Sequence, residues 1–173
     1  PGLIIDYYNG VAVLQAHSVG MHRNRMDIAN ALKEILGDRL TAVYDKSKEA
    51  MFRSVRSPSE NESGVESNNG FIFGNAGESG EVLEHGNKFK IDWTTGQKTG
   101  FFVDQRENRK LLAHYSKGKS VLNTFCYTGG FSVYAGKAGA TLVHSVDSSK
   151  KAVALTDENM ALNGLSNHES FAI

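Results

Sequence analysis

The sequence predicts an α/β protein: a small α+β domain followed by part of an open parallel sheet with helices packed against it. Near the start of the chain, apolar runs of strand length flank a stretch with apolar residues at helical spacing. Beyond residue 100, strand and helix patterns alternate, which is the βαβ rhythm of a parallel sheet. A segment rich in Ser, Glu, Asn and Gly separates the two regions, so they are predicted to be distinct domains.

Residues 1–56 form the first predicted domain. Asn9-Gly10 separates two apolar runs, and this pair readily adopts the positive φ angles of a type I′ turn, which predicts a β-hairpin. A helix follows, with Gly37 where it would end. The predicted elements are strands at 3–5 and 11–14, a helix at 23–36 and a strand at 41–44.

Residues 57–80 are predicted to be a mobile loop or linker. From 57 to 70 the side chains are nearly all Ser, Glu, Asn or Gly, and Val65 is the only large aliphatic one. Such a stretch cannot bury enough apolar area to offset the entropy of ordering, about 1–2 kcal/mol per residue. Residues 81–103 contain a second predicted hairpin, around Gly86-Asn87, which leads into the next domain.

Residues 104–173 carry the alternating pattern. Asp104, with Glu107 three residues later, resembles a capping box, which predicts a helix that begins there and ends near Tyr115. Ser148 is predicted to cap the last helix. The remaining predicted elements are strand 120–125, a Gly129-Gly130 turn and a helix ending near Gly139, strand 142–146, the last helix ending at Asn163-Gly164, and the start of a third strand at 170–173.

The composition is that of a soluble globular protein, with 40% hydrophobic and 22% charged residues. No apolar run reaches the ~20 residues that span a bilayer, and the chain opens without the basic start of a secretory signal. A cytoplasmic location and no membrane partner are therefore expected. Cys126 is the single cysteine and the six histidines fall at no metal-ligand spacing, so no metal site is expected.

Charge is unevenly distributed along the chain, although nineteen bases balance nineteen acids. Residues 57–84 carry six acids and no base, whereas residues 86–120 carry eight bases against three acids. A basic surface of that size suits a phosphate-bearing partner such as RNA. An ordinary solvated face is the alternative interpretation.

Glycines and an acid are predicted at the carboxyl edge of the parallel sheet, where open sheets bind ligands. The turn Tyr127–Gly130 follows the first strand, and Asp147 ends the second. One carboxylate can accept hydrogen bonds from both ribose hydroxyls, which favours a bound adenosine moiety; a plain tight turn and a helix-flanking acid are the alternative. The pattern fits a dinucleotide or S-adenosylmethionine, but the missing G-x-G-x-x-G spacing counts against NAD.

Several runs of the sequence resemble the ribosomal large-subunit RNA methyltransferases of the cytosine-5 type, which depend on S-adenosylmethionine. These runs are Gly96–Arg106 with Arg109, Val121–Ser132, Val146–Ser149 and the opening Pro1–Asp6. Members of that family carry an N-terminal PUA domain, a small central α/β domain and a C-terminal class I methyltransferase domain with a Rossmann-like sheet. The resemblance implies that 1–56 is the central, RNA-binding adapter domain and that 104–173 begins the methyltransferase domain.

The resemblance also implies roles for individual residues. The loop Asn123–Phe131 would surround the methionine moiety, Asp147 would hold the ribose, and Ser148 would lie near the adenine. Arg106 and Arg109, three residues apart on one helix, would meet the cofactor carboxylate or an RNA phosphate; ordinary surface arginines are the alternative. The implied cofactor-binding residues are Gln105, Arg106, Asn123, Thr124, Phe125, Tyr127, Thr128, Gly129, Gly130, Phe131, Asp147 and Ser148.

No catalytic residue is expected within this chain. Cytosine-5 methylation uses a cysteine thiolate that adds to C6 of the base; the family's nucleophile lies beyond the fourth strand, and this sequence ends around the third. Cys126 is interpreted as a small loop residue beside the cofactor. The chain is expected to be a fragment without the PUA domain and the catalytic half, its open sheet edge completed by further sequence or by a swapped homodimer.

The sequence thus favours transfer of a methyl group from S-adenosylmethionine to a base of large-subunit ribosomal RNA, as part of ribosomal RNA processing. Cytosine C5 is the first candidate for the methylated atom, and guanine N7, the target of a related subgroup, is the second. An RNA-binding module without catalysis is an alternative that depends on the hairpins and the basic stretch. A nucleotide-dependent oxidoreductase is a third, supported only by Asp147.

Overall fold

The computed structural model describes residues 2–54 and 68–173. The chain divides into two compact units. The first unit contains Pro1–Gly80 and Asp92–Phe101, and the second contains Glu81–Ile91 and Phe102–Ile173. Most of the predicted linker, including Val65, lies outside the described residues.

A four-stranded mixed sheet forms the centre of the first unit. Its strands are, in spatial order, β1 (Leu3–Tyr8), β2 (Val11–Ala16), β3 (Ala42–Asp45) and β4 (Gly70–Phe73). β2 and β3 run parallel, and the other neighbours run antiparallel. The predicted first hairpin is confirmed, with positive φ angles at Asn9 (45°) and Gly10 (101°) in its turn.

The prediction of a mobile linker is wrong for residues 70–73. The sequence placed them in the mobile linker because polar residues and glycine precede them. They form β4 instead, since Phe71 packs edge-on against Tyr44 of β3, with 5.0 Å between ring centroids. Aromatic contacts across paired strands stabilise a sheet edge that local composition does not reveal.

Among the described residues, three helices accompany this sheet. They are α1 (Val19–Arg23), α2 (Arg25–Leu36) and α3 (Lys48–Ser54). α2 confirms the predicted helix and ends at Gly37, whose φ is 56°. Ala29 of α2 is fully buried in a core with Ala12, Leu40 and Val43.

A buried polar cluster lies where β3 ends. Oδ1 of Asp45 accepts hydrogen bonds from the backbone N–H of Ser47 (3.0 Å) and from its hydroxyl. Oδ2 lies 3.4 Å from Nε of Arg25 and 3.7 Å from Nδ1 of His22. Burial and the charge of Arg25 lower the pKa of His22, while Asp45 opposes that shift. His22 is therefore neutral at pH 7.

The second predicted hairpin is also present. β5 (Ser79–Glu84) and β6 (Asn87–Asp92) form a two-stranded sheet. Positive φ angles at His85 (49°) and Gly86 (81°) make the turn, one residue earlier than predicted. Asn87 begins β6 instead of ending the turn.

A three-stranded parallel sheet forms the centre of the second unit. Its strands are β7 (Ser120–Thr124), β8 (Leu142–Asp147) and β9 (His168–Ala172), in that spatial order. Its helices are α4 (Arg106–Ser116), α5 (Gly130–Lys137) and α6 (Lys150–Leu162). α5 connects β7 to β8 and α6 connects β8 to β9, which confirms the predicted βαβ architecture.

Two predicted helix caps are wrong. Asp104 lies inside a short 3-10 turn, Val103–Gln105, and α4 begins only afterwards, without a side-chain cap. At the last helix, Ser149 rather than Ser148 is the cap, and its hydroxyl accepts from the backbone N–H of Ala152 at 3.3 Å. The shift arises because Oδ1 of Asp147 accepts from the backbone N–H of Ser149 at 2.9 Å, which holds Ser148 in the intervening turn.

Among residues 2–54 and 68–173, no helix combines the length and the apolar character needed to cross a membrane.

Candidate functional site

The loop between β7 and α5 lies at the carboxyl edge of the parallel sheet, as predicted. Within it, φ is positive at Phe125 (58°), Tyr127 (49°) and Gly129 (73°). Positive φ is uncommon outside glycine and costs about 1–3 kcal/mol when the surroundings enforce it. Phe125 is also 87% exposed although it is a large aromatic residue. A strained loop of this kind, held open at a sheet edge, is a candidate ligand site.

Asp147 connects this loop to the end of β8. Its Oδ2 accepts the backbone N–H of Tyr127 at 3.0 Å, and its Oδ1 accepts that of Ser149 at 2.9 Å. A carboxylate offers about four acceptor positions, so each oxygen keeps room for one more donor. The half-buried Asp147 both fixes the loop and presents acceptor positions beside it.

The side chain of Asn123 anchors α5 to the sheet. Its side-chain amide donates to the hydroxyl of Ser132 at 2.8 Å, and Ser132 shares a hydrogen bond of 2.7 Å with Ser145 of β8. Ser132 and Ser145 are fully buried. This chain of polar contacts holds the first turn of α5 against the sheet.

Two backbone carbonyls of the loop accept hydrogen bonds from side chains that the sequence analysis did not single out. Oγ1 of Thr156 donates to the carbonyl of Tyr127 at 3.0 Å, and Nδ2 of Asn159 donates to that of Thr128 at 2.8 Å. Both side chains lie on α6 and are fully buried. Sequence patterning missed them because polar residues in a helix are normally expected on its solvent face.

Cys126 lies inside the loop and is 5% exposed. Burial raises the pKa of its thiol, and the hydrogen bond with Thr156, at 3.4 Å, only partly opposes this. A nucleophilic cysteine needs a lowered pKa, because the thiolate is the reactive species. The environment of Cys126 therefore favours a neutral, structural thiol.

The arginines of α4 do not share one surface, which corrects the sequence interpretation. Arg109 is 2% exposed and makes a two-point ion pair with Glu84, with both N–O distances at 2.8 Å. Arg106 is exposed, and its Nε lies 3.3 Å from Glu107. Arg109 is thus committed to the interior and is not available to a cofactor carboxylate or an RNA phosphate.

The other predicted site residues occupy varied positions. The ring of Tyr127 stacks edge-on with that of Phe102, with 5.3 Å between centroids. Gln105 accepts from the side chain of Asn108 at 2.9 Å. Thr128, Gly129 and Gly130 are buried, Phe131 is half-buried, and Thr124 and Ser148 are exposed.

The arrangement fits a ligand that carries a sugar diol and an anionic group. Asp147 keeps one acceptor position on each oxygen, which matches two adjacent hydroxyl groups. α5 begins at Gly130 without a side-chain cap, so its first backbone N–H groups can receive an anionic group. In the described parts of the chain, no group of three or more His, Cys, Asp or Glu could hold a metal ion.

A family model described as S-adenosylmethionine-dependent methyltransferase matches residues 12–171. The chain belongs to this family. Membership identifies S-adenosylmethionine as the cofactor of the family. The matched range includes parts of both compact units.

Curated methyltransferases resemble nearly the whole chain. A protein named Ribosomal RNA large subunit methyltransferase I, from Aeromonas hydrophila, is 40% identical over 167 residues. The alignment covers 95% of this chain and 40% of that relative, so the chain spans about two fifths of the relative's length. A protein of the same name from Tolumonas auensis is 36% identical, with the same coverage.

Solved methyltransferase structures share the fold. A structure from Streptococcus mutans, described as a SAM-dependent methyltransferase, has a TM-score of 0.81 and 28% sequence identity, and the match covers 99% of this chain and 42% of that one. A methyltransferase structure described as a complex with SAH has the same TM-score at 27% identity and the same coverage. These likenesses confirm the predicted Rossmann-like α/β fold.

Proposed function

We propose that this methyltransferase chain binds S-adenosylmethionine at the carboxyl edge of β7 and β8. Asp147 would accept hydrogen bonds from the ribose hydroxyls, and the loop 125–129 would enclose the methionine moiety. Ser148 would lie near the adenine, and Gln105 and Arg106 would approach the cofactor from the start of α4. When bound, S-adenosylmethionine supplies an electrophilic methyl group.

We further propose that the protein methylates a base of large-subunit ribosomal RNA in the cytoplasm. The observation that carries this proposal is 40% identity to a Ribosomal RNA large subunit methyltransferase I across 95% of the chain. Identity at that level over nearly the whole chain favours a shared substrate class. Because the chain spans 40% of that relative, groups outside it would complete the reaction.

Cytosine C5 is the proposed target atom. Methylation there requires a thiolate to add to C6 of the base, and the buried Cys126 is unsuited to that role because its pKa is raised. The nucleophile would therefore come from outside this chain. The resemblance to the cytosine-5 enzymes implies that a PUA domain would also lie outside it. The resemblance of the runs around Lys98 and Asp147 to the cytosine-5 enzymes supports this choice. Guanine N7 is the alternative target, since the related subgroup that methylates it shares the Tyr127–Gly129 loop.

Exposed basic residues of the second unit support the proposal of RNA binding. Of the bases between 86 and 120, Arg109 is buried against Glu84, and Lys90 pairs with Glu158 at 2.6 Å. The exposed bases of this stretch in the second unit are Lys88, Arg106, Lys110, Lys117 and Lys119. Exposed lysines and arginines supply the phosphate contacts that dominate RNA affinity.

The test is a methylation assay with a protein that contains this chain and is as long as the relatives that it matches. Large-subunit ribosomal RNA would be incubated with it and S-adenosylmethionine, then digested to nucleosides for mass spectrometry. We expect 5-methylcytidine, and its loss in the Asp147→Ala variant. Formation of 7-methylguanosine would overturn the cytosine assignment. No methylated nucleoside from an active, folded protein would overturn the ribosomal RNA substrate.

A further inference from the structure

The cofactor loop proposed above and the β5–β6 hairpin contact the same buried amide. Nδ2 of Asn159 donates to the carbonyl of Thr128 at 2.8 Å, while Oδ1 of Asn159 accepts the backbone N–H of Lys90 in β6 at 2.7 Å. Asn159 is fully buried, so both bonds are made away from water. A buried donor or acceptor that loses its partner is costly, so the amide nitrogen must face the loop and the amide oxygen must face β6.

We infer that Asn159 is a positioning residue for the cofactor loop, an inference that rests on the proposed cofactor site. Its amide fixes the carbonyl of Thr128, and Thr156, one helical turn earlier on α6, fixes the carbonyl of Tyr127 at 3.0 Å. Two consecutive carbonyls are thereby directed towards α6. On the other side of the same loop, the backbone N–H of Tyr127 donates to Asp147.

Close packing strengthens this hold on the loop. A Cβ atom at Gly129 would lie 2.6 Å from Cγ2 of Thr156, so the threonine methyl occupies the space that a side chain there would need. Gly129 has a φ of 73°, which permits the loop to turn into α5 at this point. The hydroxyl and the methyl of Thr156 therefore act on adjacent parts of the loop, and Asn159 acts between them on Thr128.

Asn163, which caps the end of the same helix, offers a matched control. It lies one turn beyond Asn159, accepts the backbone N–H of Lys88 at 2.9 Å and donates to the carbonyl of Lys88 at 2.7 Å. It also donates to the backbone carbonyl of Asn159 at 2.8 Å. Asn163 thus bonds the hairpin as Asn159 does, while its hydrogen bonds do not include the loop. Replacing either asparagine by aspartate keeps an acceptor for β6 and removes the amide donor.

The experiment compares Asn159→Asp with Asn163→Asp in the whole chain. S-adenosylhomocysteine affinity would be measured by calorimetry, thermal unfolding would report stability, and hydrogen exchange without ligand would follow the backbone amides of Tyr127 and Gly129. For Asn159→Asp we expect about 10-fold weaker binding and faster exchange of both amides. For Asn163→Asp we expect near-normal affinity and exchange, even where the melting temperature falls.

A second pair of variants tests the same inference if Asn159→Asp does not fold. Thr156→Val removes the hydrogen bond to Tyr127 and should reproduce the loss of affinity and of amide protection, whereas Thr156→Ser retains the hydroxyl and should restore most of both. Equal losses in the two asparagine variants, in proportion to stability, would overturn the inference, and so would unchanged loop exchange in Asn159→Asp. If the unmodified chain binds no S-adenosylhomocysteine, the proposed function fails, and the exchange data still decide the role of Asn159.

Discussion

Arg109 illustrates how a single buried charge organises the second unit. Besides its two bonds to Glu84, its guanidinium donates to the carbonyl of Phe102 at 3.0 Å. The hydroxyl of Tyr134 donates to the same carboxylate at 3.0 Å, and burial together with Glu84 raises the pKa of Tyr134 to about 12. An ion pair away from water is stable only when its remaining donors and acceptors are also bonded, and this network meets that condition.

Removing one partner of this pair should destabilise the chain strongly. We expect Arg109→Ala to lower the free energy of unfolding by about 3–5 kcal/mol, because the carboxylate of Glu84, whose side chain is 10% exposed, would lose its ion-pair partner. Urea unfolding followed by circular dichroism measures the change. Arg106→Ala is the control, since its exposed pair with Glu107 should contribute about 1 kcal/mol or less. Similar small losses in both variants would contradict a structural role for Arg109.

Some site residues could be identified from the sequence and others could not. Gly129 lies in the turn that follows β7, and Asp147 ends β8. The apolar pattern of both strands is clear, so the positions of these residues at the sheet edge followed from topology. Thr156 and Asn159 carry no such signal, since their importance depends on which face of α6 is buried. Arg109 was misjudged for the same reason, because helical spacing alone does not show which flanking element supplies a buried carboxylate.

At the scale of elements, α6 determines the shape of the loop 125–129. The loop has positive φ at alternate residues, and its carbonyls are bonded by side chains of this helix. Gly129 is the point of closest approach, at which a Cβ would meet Thr156. The loop and α6 therefore act as one unit, and a change on either should alter both.

Substitution of Gly129 tests this close approach. Gly129→Ala combines an unfavourable φ of 73° with a contact of 2.6 Å to Thr156, whereas Gly164→Ala has a φ of 70° and no atom within 4 Å. Gly164→Ala should therefore lower the free energy of unfolding only through its left-handed backbone conformation, by about 1–2 kcal/mol. Gly129→Ala should cost clearly more and should also weaken S-adenosylhomocysteine binding. Equal costs in denaturant unfolding would show that the contact with Thr156 is unimportant.

Element types were predicted more reliably than element ends. The hairpins, α2 and the βαβ pattern followed from periodicity and turn residues. The cap at Ser149 did not, since the bond from its N–H to Asp147 decides it, and the 3-10 turn at 103–105 displaced the start of α4. β4 was missed because its pairing with β3 is contributed by residues far away in the sequence.

The stability of the whole molecule depends on pH through His22, in the polar cluster with Arg25 and Asp45. The pKa of His22 is lowered in the folded chain, so below its ordinary value of 6.5 the unfolded chain binds a proton that the folded chain does not. Stability is therefore retained above pH ~6.5 and lost as the pH falls below it. Arg25 adds to this effect and Asp45 opposes it.

Fluorescence of Trp93 provides the measurement, since it is the single tryptophan and is 3% exposed in the same compact unit as His22. We expect the urea midpoint to fall between about pH 7.5 and pH 5.5. His22→Gln should reduce that dependence, because glutamine does not titrate. An unchanged pH dependence in this variant would assign the effect to other groups.

We propose that this chain binds the methyltransferase cofactor through Asp147 and the loop beside it. Calorimetric titration of the chain with S-adenosylhomocysteine, repeated with Asp147→Ala, tests it most directly. We expect a dissociation constant near the micromolar range, about −8 kcal/mol, and no detectable binding by a folded Asp147→Ala variant. Absence of binding by the folded, unmodified chain, or equal affinity in the variant, would overturn this cofactor site.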